Sequence, residues 1–331
     1  MTGPAPRTSL PTRRLGRSEL EVSVVGLCCN NFGRRISLEP TAAVLEAAVD
    51  AGITLFDTAD VYGEGGGSER LMGEVLEGRR KEFPIATKFG MEMRGVDGVP
   101  DAPRGSRDYI RWAIEGSLGR LRIDRIDLYQ YHQPDGSTPI AETLAALGEL
   151  IEEGLVTAIG CSNFSAAQIE EAERLAEEHG LPRFETVQNE YSLLERGIEA
   201  EVAPACMRLG MSILPYFPLA SGLLTGKYGR REPGPEGSRL ASGGPAGSDE
   251  QFDVVEALEG FAAERGLGVL DVAIAGLAAQ PAVGSVIAGA TRPEQVAANV
   301  AALRWEPTPA ELEELDGIAP TPRGGVGTFP A

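Results

Sequence analysis

Four residue types able to move or steer a proton stand where apolar runs of this chain stop. Asp57 follows the run 53–56, and Tyr62 comes five residues after it. Lys88 ends Phe83-Pro84-Ile85-Ala86-Thr87-Lys88, and His132 ends the run that begins at Ile126. A carboxylate ending a buried strand needs a cation, because an unpaired buried charge is costly. Lys88 is the expected partner of Asp57. A tyrosine with an ordinary pKa of about 10 is a weak acid–base group near neutrality. An adjacent ammonium favours the phenolate, so Lys88 is expected to lower the pKa of Tyr62. His132 can donate a hydrogen bond to a carbonyl oxygen or tune Tyr62. The four would form an electrophilic pocket for an oxygen that becomes negative in a transition state. None of them is a hydride source, so reduction there requires a cofactor. A second chemistry would use Lys88 as a Schiff-base nucleophile in a barrel aldolase. That lysine must be largely neutral, and Asp57 beside it argues the opposite.

These residues need elements to position them, and the pattern of the chain supplies a repeating pair. Apolar strands are expected at 22–27, 54–56, 84–87, 126–131, 156–160, 186–188, 212–216 and 284–288. Helical stretches alternate with them at 40–51, 68–77, 106–121, 140–152, 165–179, 196–209, 269–279 and 293–302, with an extra helix at 252–265. Eight strand–helix units predict a single closed (β/α)8 barrel over residues 1–331. An open doubly wound sheet is the alternative, but Gly26-Leu27-Cys28-Cys29 is not its glycine fingerprint. Residues 12–22 read as a hairpin that caps one end, and residues 1–11 as a flexible lead. Two connections are long, 90–105 and 228–249, and both are rich in glycine and proline. Loops of that length in a compact domain are often lids. Ser162 and Asn163 follow the fifth strand, Gln188 ends the sixth and Tyr216 the seventh. One lysine or histidine after a strand is ordinary; this many polar residues at one rim is where barrel enzymes build their sites.

Composition narrows the partners. The formal net charge is −19, which repels phosphate backbones and anionic lipid, so neither nucleic acid nor membrane is expected. The first 14 residues lack an apolar core of the signal-peptide kind. Residues 269–290 are interrupted by Asp271, Gln280 and Pro281 and make a poor membrane span. Cys28, Cys29, Cys161 and Cys206 lack zinc spacing and suit a reduced, cytoplasmic protein. Two histidines, His132 and His179, rule out a histidine-rich metal site, and no metal is expected.

With these segments in view, the chain resembles the aldo-keto reductases from residue 15 to about 299. Asp57-Thr58-Ala59-Asp60-Val61-Tyr62-Gly63 with Ser68-Glu69, Ala86-Thr87-Lys88, and Ile126-Asp127-Leu128-Tyr129-Gln130-Tyr131-His132 carry it. So do Ile159-Gly160-Cys161-Ser162-Asn163-Phe164, Val187-Gln188-Asn189-Glu190-Tyr191, Pro215-Tyr216-Phe217-Pro218-Leu219-Ala220-Ser221-Gly222-Leu223, and Ile287-Ala288-Gly289-Ala290 with Asn299. The resemblance implies a barrel without a separate dinucleotide domain, and an extended nicotinamide cofactor, usually NADPH/NADP+ with NADH as the alternative, across its rim. It implies a tetrad of Asp57, Tyr62, Lys88 and His132, with Tyr62 as general acid in reduction and base in oxidation of a small-molecule carbonyl–alcohol pair. Ser162, Asn163 and Gln188 match positions that bind the nicotinamide carboxamide, and Tyr216 the ring that stacks on it. Ser221, Gly222 and Leu223 match the loop near the pyrophosphate, and Phe217, Leu219 and Lys227 are further cofactor-binding candidates. Gly289, Thr291, Arg292, Gln295 and Asn299 match the adenosine end, with Arg292 facing a 2′-phosphate. Asn31, Phe32, Met91 and Tyr191 are candidates for the substrate pocket. The chain departs from the pattern at Cys28, where many relatives carry glycine, and at Ala288, where proline is common. Gly222 to Lys227 lacks Walker spacing, since Tyr228 stands where Ser or Thr is required. A slow cofactor-holding subunit, like the potassium-channel β subunits of the same fold, is the reading from another functional class.

Overall fold

Leu15, between two short strands, explains why the chain begins with a hairpin. Strands β1 (Thr12–Arg14) and β2 (Glu21–Ser23) pair antiparallel, and Leu15 at their turn is fully buried. It packs with Leu55, Ala86, Leu128, Ala158, Leu214 and Ile287. Those are inward residues of a ring of strands, so the hairpin plugs one end of it. The computed structural model describes residues 10–79, 83–241 and 247–320. The lead 1–11 thus falls outside them as far as residue 9, as does 242–246 of the second long loop.

Eight parallel strands make the ring: β3 (Val25–Cys28), β4 (Phe56–Asp57), β5 (Ile85–Phe89), β6 (Ile126–Tyr131), β7 (Val156–Ser162), β8 (Thr186–Gln188), β9 (Ser212–Ile213) and β10 (Val286–Gly289). Each pairs with its sequence neighbour, and β10 pairs with β3. The last seam closes through Ile213 N–H to Ala282 O at 2.7 Å and Gly284 N–H to Ile213 O at 2.9 Å. The architecture is a (β/α)8 barrel. Its helices are α1 (Leu38–Asp50), α2 (Gly67–Val75), α3 (Arg107–Leu121), α4 (Ile140–Glu152), α5 (Ala166–His179), α6 (Val202–Leu209), α7 (Asp249–Glu264), α8 (Val269–Ala278), α9 (Pro293–Ala301) and α10 (Pro309–Ile318). No helix among the described residues is long and apolar enough to cross a membrane.

Strand alternation sorts the side chains into two layers. On β5, Ala86 faces the barrel interior while Phe89 joins the shell between strands and helices; on β6, Leu128 faces in while Tyr129 and Tyr131 face out. Both layers are largely apolar at their centres, and the polar residues of the inward face collect at the open rim.

Several boundaries differ from expectation. The first expected strand is two: Ser23 Oγ donates to Val25 O at 2.7 Å and bends the chain from hairpin to barrel. The expected helix 196–209 is a 3-10 turn (Gly197–Glu199) followed by α6. Pro204 lies in the first turn of α6, where its missing N–H costs no intrahelical bond, but it cannot donate to the carbonyl of Ala200, so the helix does not continue back to 196. Helix α10 was not anticipated at all.

Candidate active site

Asp57 is the last residue of β4, and Lys88 is the fourth of the five residues of β5. Both side chains have no solvent exposure, and Lys88 Nζ lies 2.7 Å from Asp57 Oδ2. An ammonium has three N–H donors. The other two reach Thr58 O at 2.8 Å and the Tyr62 hydroxyl at 3.4 Å. Because Lys88 donates to the Tyr62 oxygen, the tyrosine's own proton must point elsewhere. Burial pushes the Lys88 pKa down, but Asp57 first and then Tyr62 push it up by more, so the net shift is upward and the amine stays charged. The Schiff-base chemistry, which needs a neutral lysine, has no support in this environment.

Asp57 is held from its other side as well. Its Oδ1 accepts from Gln188 Nε2 at 2.9 Å and Gln130 Nε2 at 3.2 Å. Gln188, expected at the nicotinamide carboxamide, donates its amide nitrogen to Asp57 and is 2% exposed. Gln130 was missed, although it stands two residues before His132 and on the same face of the strand. Gly160 makes room for this layer: a Cβ there would lie 2.2 Å from Thr186 Oγ1 and 3.2 Å from Gln130 Cγ.

Tyr62 sits in the loop after β4, and Gly63 turns the chain behind it. Gly63 has φ 70°, and a Cβ would come within 2.6 Å of Phe32 O and Ser68 N, so only glycine fits. The expected fall in the Tyr62 pKa is not what the surroundings produce. Burial raises it, Lys88 lowers it by less, and the net direction is up. Tyr62 is therefore a protonated phenol throughout the neutral range. His132 faces it edge-on, with ring centroids 5.7 Å apart at 83°. Burial, assisted by Lys88, holds His132 well below its ordinary pKa, so it is a neutral imidazole. Its Nδ1 has no partner among the described residues. The arrangement offers a neutral proton donor, a neutral hydrogen-bonding ring and a fixed positive charge behind the donor.

Around this cluster the rim residues form a chain of bonds. Ser162 Oγ donates to Gln188 O at 2.7 Å; Asn163 Nδ2 donates to His132 O at 3.0 Å; Tyr216 donates to Asn163 Oδ1 at 2.9 Å. Four of the residues with a left-handed backbone that are not glycine, namely Asn163, Phe217, Ala220 and Ser221, lie here. Such strain gathers at functional sites.

A cleft runs from Cys28 along the rim. Asn31, Phe217, Leu219, Ser221, Gly222 and Lys227 line one part of it, and Gly289, Thr291, Gln295 and Asn299 another. Cys28 pairs in register with Asp57 on one side and Gly289 on the other, so it joins the cleft to the buried pair. Burial and Asp57 push its thiol up to about 11. Three expected residues are buried in the packing. Leu223 is 4% exposed and packs in the shell under α7 and α8. Phe32 is fully buried in the core, and Tyr191 is 2% exposed with its hydroxyl donating to Glu199 at 2.6 Å. Both side chains lie in the packing around the barrel. Arg292 is exposed at the N-cap of α9, directly after Thr291 of the cleft. Met91 is half-buried; its carbonyl accepts from Tyr109, which pins the loop 90–105.

Arg239, on the second long loop, lines the cleft and was missed. Its Nη2 reaches only amide oxygens, Asn31 Oδ1 at 3.2 Å and Asn30 Oδ1 at 3.5 Å, and its guanidinium covers the Phe217 ring at 5.3 Å. Burial lowers its pKa, and no carboxylate is paired with it among the described residues. Arg35 ties the same loop across the opening, donating to Gly237 O at 2.8 Å. A half-buried cation without an anion, beside Lys227 and a Ser–Gly turn, fits a ligand that carries phosphate.

A model of the Aldo/keto reductase family matches residues 25–320. A soybean (Glycine max) protein named "Probable aldo-keto reductase 1" is 35% identical over 317 residues, covering 93% of this chain and 88% of its own. A rice (Oryza sativa subsp. japonica) protein named "Probable voltage-gated potassium channel subunit beta" is 34% identical over 319 residues, covering 92% and 95%. An Arabidopsis thaliana protein of the same name is also 34% identical over 319 residues.

Proposed function

The chain belongs to the aldo/keto reductase family, and from that premise we propose that it reduces small aldehydes or ketones to alcohols with NADPH. The observation that carries this reading is the set of three bonds from Lys88, to Asp57, Thr58 O and Tyr62. When bound, the nicotinamide supplies hydride. Tyr62 gives its proton to the carbonyl oxygen, and Lys88 stabilises the phenolate left behind. His132, neutral, shares the oxygen through a hydrogen bond. Asp57 keeps Lys88 aimed at Tyr62, while Gln130 and Gln188 keep Asp57 aimed at Lys88. Arg239, Lys227 and the turn at Ser221–Gly222 take the cofactor's phosphates, and Tyr216 offers a ring beside Asn163. A cytoplasmic location fits this chemistry.

The decisive assay is NADPH and NADH consumption with a panel of aldehydes and sugars. Turnover with none of them would favour the second reading, a subunit that holds cofactor and turns over slowly. The names of the rice and Arabidopsis relatives are the observation on its side.

Two expectations follow for the cofactor and for pH. Arg292→Ala is expected to weaken NADPH about tenfold with little change for NADH, since one charge-assisted bond is worth about 1.5–3 kcal/mol and only NADPH has the 2′-phosphate. Arg239→Ala is expected to weaken both. Equal losses for Arg292→Ala in fluorescence titrations would remove its role. For pH, reduction needs a protonated Tyr62, and its pKa is raised. His132 is held below its ordinary 6.5. Neither group changes charge near neutrality, so kcat/KM should stay level there and decline only in alkali. A step at 6.5 would contradict the neutral imidazole.

A further inference from the structure

We propose that Asp60 stands as a neutral carboxylic acid and, together with Tyr129, holds a buried water molecule behind the Lys88 strand. Asp60 belongs to the same turn as Asp57 and Tyr62, and its N–H donates to Lys88 O at 3.1 Å. Its side chain has no solvent exposure, and neither carboxyl oxygen has a hydrogen-bond partner among the described residues. The hydroxyl of Tyr129 is in the same condition, fully buried and unpartnered. Tyr129 points away from the barrel interior, into the layer beneath α2 and α3. Tyr129 pairs in register with Thr87, the residue before the Lys88 carbonyl that holds Asp60; Tyr129 feels the charge of Asp60, and both feel Glu69 and Arg120.

Every other ionisable group facing this spot is already engaged. Glu69, from α2, accepts from Thr87 Oγ1 at 2.6 Å and from Arg120 Nε at 2.7 Å. Arg120, from α3, therefore has its carboxylate, and its Nη2 reaches Ser117 at 3.4 Å. Tyr109, also from α3, donates to Met91 O at 3.1 Å. Lys88 directs all three donors to Asp57, Thr58 and Tyr62. No cation among the described residues remains for Asp60, and an isolated carboxylate in such a place neutralises instead of staying charged. The direction of its titration agrees: burial first, then Glu69, raises it well above the carboxylate range.

A neutral carboxyl still carries one O–H and an accepting oxygen, and a phenol carries the same pair. Left unmet in the interior, each would cost about 1–3 kcal/mol. A buried water typically makes about three hydrogen bonds to groups of this kind, and one placed between the two side chains serves both. It would fasten the turn that carries Tyr62 to the outer wall of the barrel. The inference is independent of the proposed reaction.

Two measurements on the wild-type protein test it. Infrared spectra of protein labelled with carboxyl-carbon-13 aspartate, compared with unlabelled protein at neutral pH, should show an acid C=O band that shifts with the label. A high-resolution crystal structure should show one water within hydrogen-bond distance of both Asp60 and the Tyr129 hydroxyl. Asp60→Asn, which keeps a donor and an acceptor without charge, should leave the denaturation midpoint unchanged and remove the acid band. The proposal is overturned by spectra with carboxylate bands alone, by a cation at the site, by a direct Asp60–Tyr129 bond with no water, or by a large stability loss in Asp60→Asn.

Discussion

Tyr62→Phe is expected to lower the rate of carbonyl reduction by about 10²–10⁴-fold, the usual contribution of a positioned acid, while NADPH binds as it does to the wild type. The substitution removes one oxygen. That oxygen accepts from Lys88 at 3.4 Å and contributes nothing to the ring's contact with His132 at 5.7 Å. The ring and the turn at Gly63 stay, so the pocket keeps its shape. The cleft residues that would meet the cofactor, such as Arg239 and Asn299, lie elsewhere. The loss should therefore appear in the chemical step and not in the cofactor dissociation constant. Stopped-flow absorbance under single-turnover conditions separates the two. A variant that reduces aldehydes at the wild-type rate would show that the proton comes from another group.

How much of this was legible beforehand depends on the range of the interaction involved. Asp57, Lys88 and His132 could be found because each ends an apolar run, and strand ends in a barrel share a rim. Gln130 was equally legible, since inward residues on a strand recur every second position from His132, but a glutamine has no charge to draw notice. Helix α10 carried its own signal in Thr308-Pro309-Ala310-Glu311: a capping box with proline at the first helical position. Arg239 had no such mark. Its loop has no periodicity, and its contacts with Asn30 and Asn31 span more than 200 residues. The direction of the Tyr62 shift was also out of reach, because the ammonium's effect follows from proximity while the opposing term depends on how completely the folded chain excludes water. The burial of Phe32 and Tyr191 was out of reach for a related reason, since sequence position does not say which way a side chain turns.

The second large effect concerns the pair itself. Asp57→Asn and Lys88→Met should each destabilise the fold by about 3–5 kcal/mol, because each leaves a fully buried charge without its partner. Asp57→Asn adds a conflict, since the new amide nitrogen competes with Gln188 Nε2 and Gln130 Nε2, both of which already donate to this position. The double variant removes both charges together and should lose about as much as either single one, a coupling seen only between groups in contact. Turnover should be lost in all three, since neither half alone can steady the phenolate of Tyr62. The folded Lys88 pKa lies above its unfolded value of about 10.4. Its share of the stability is therefore complete at neutral pH and is lost only as strong alkali titrates the folded amine. Urea titrations near neutrality read the cycle directly, through midpoints at constant slope. Additive losses would mean that the two charges are held independently, and the account of Asp57 as the group that aims Lys88 would fall with that result.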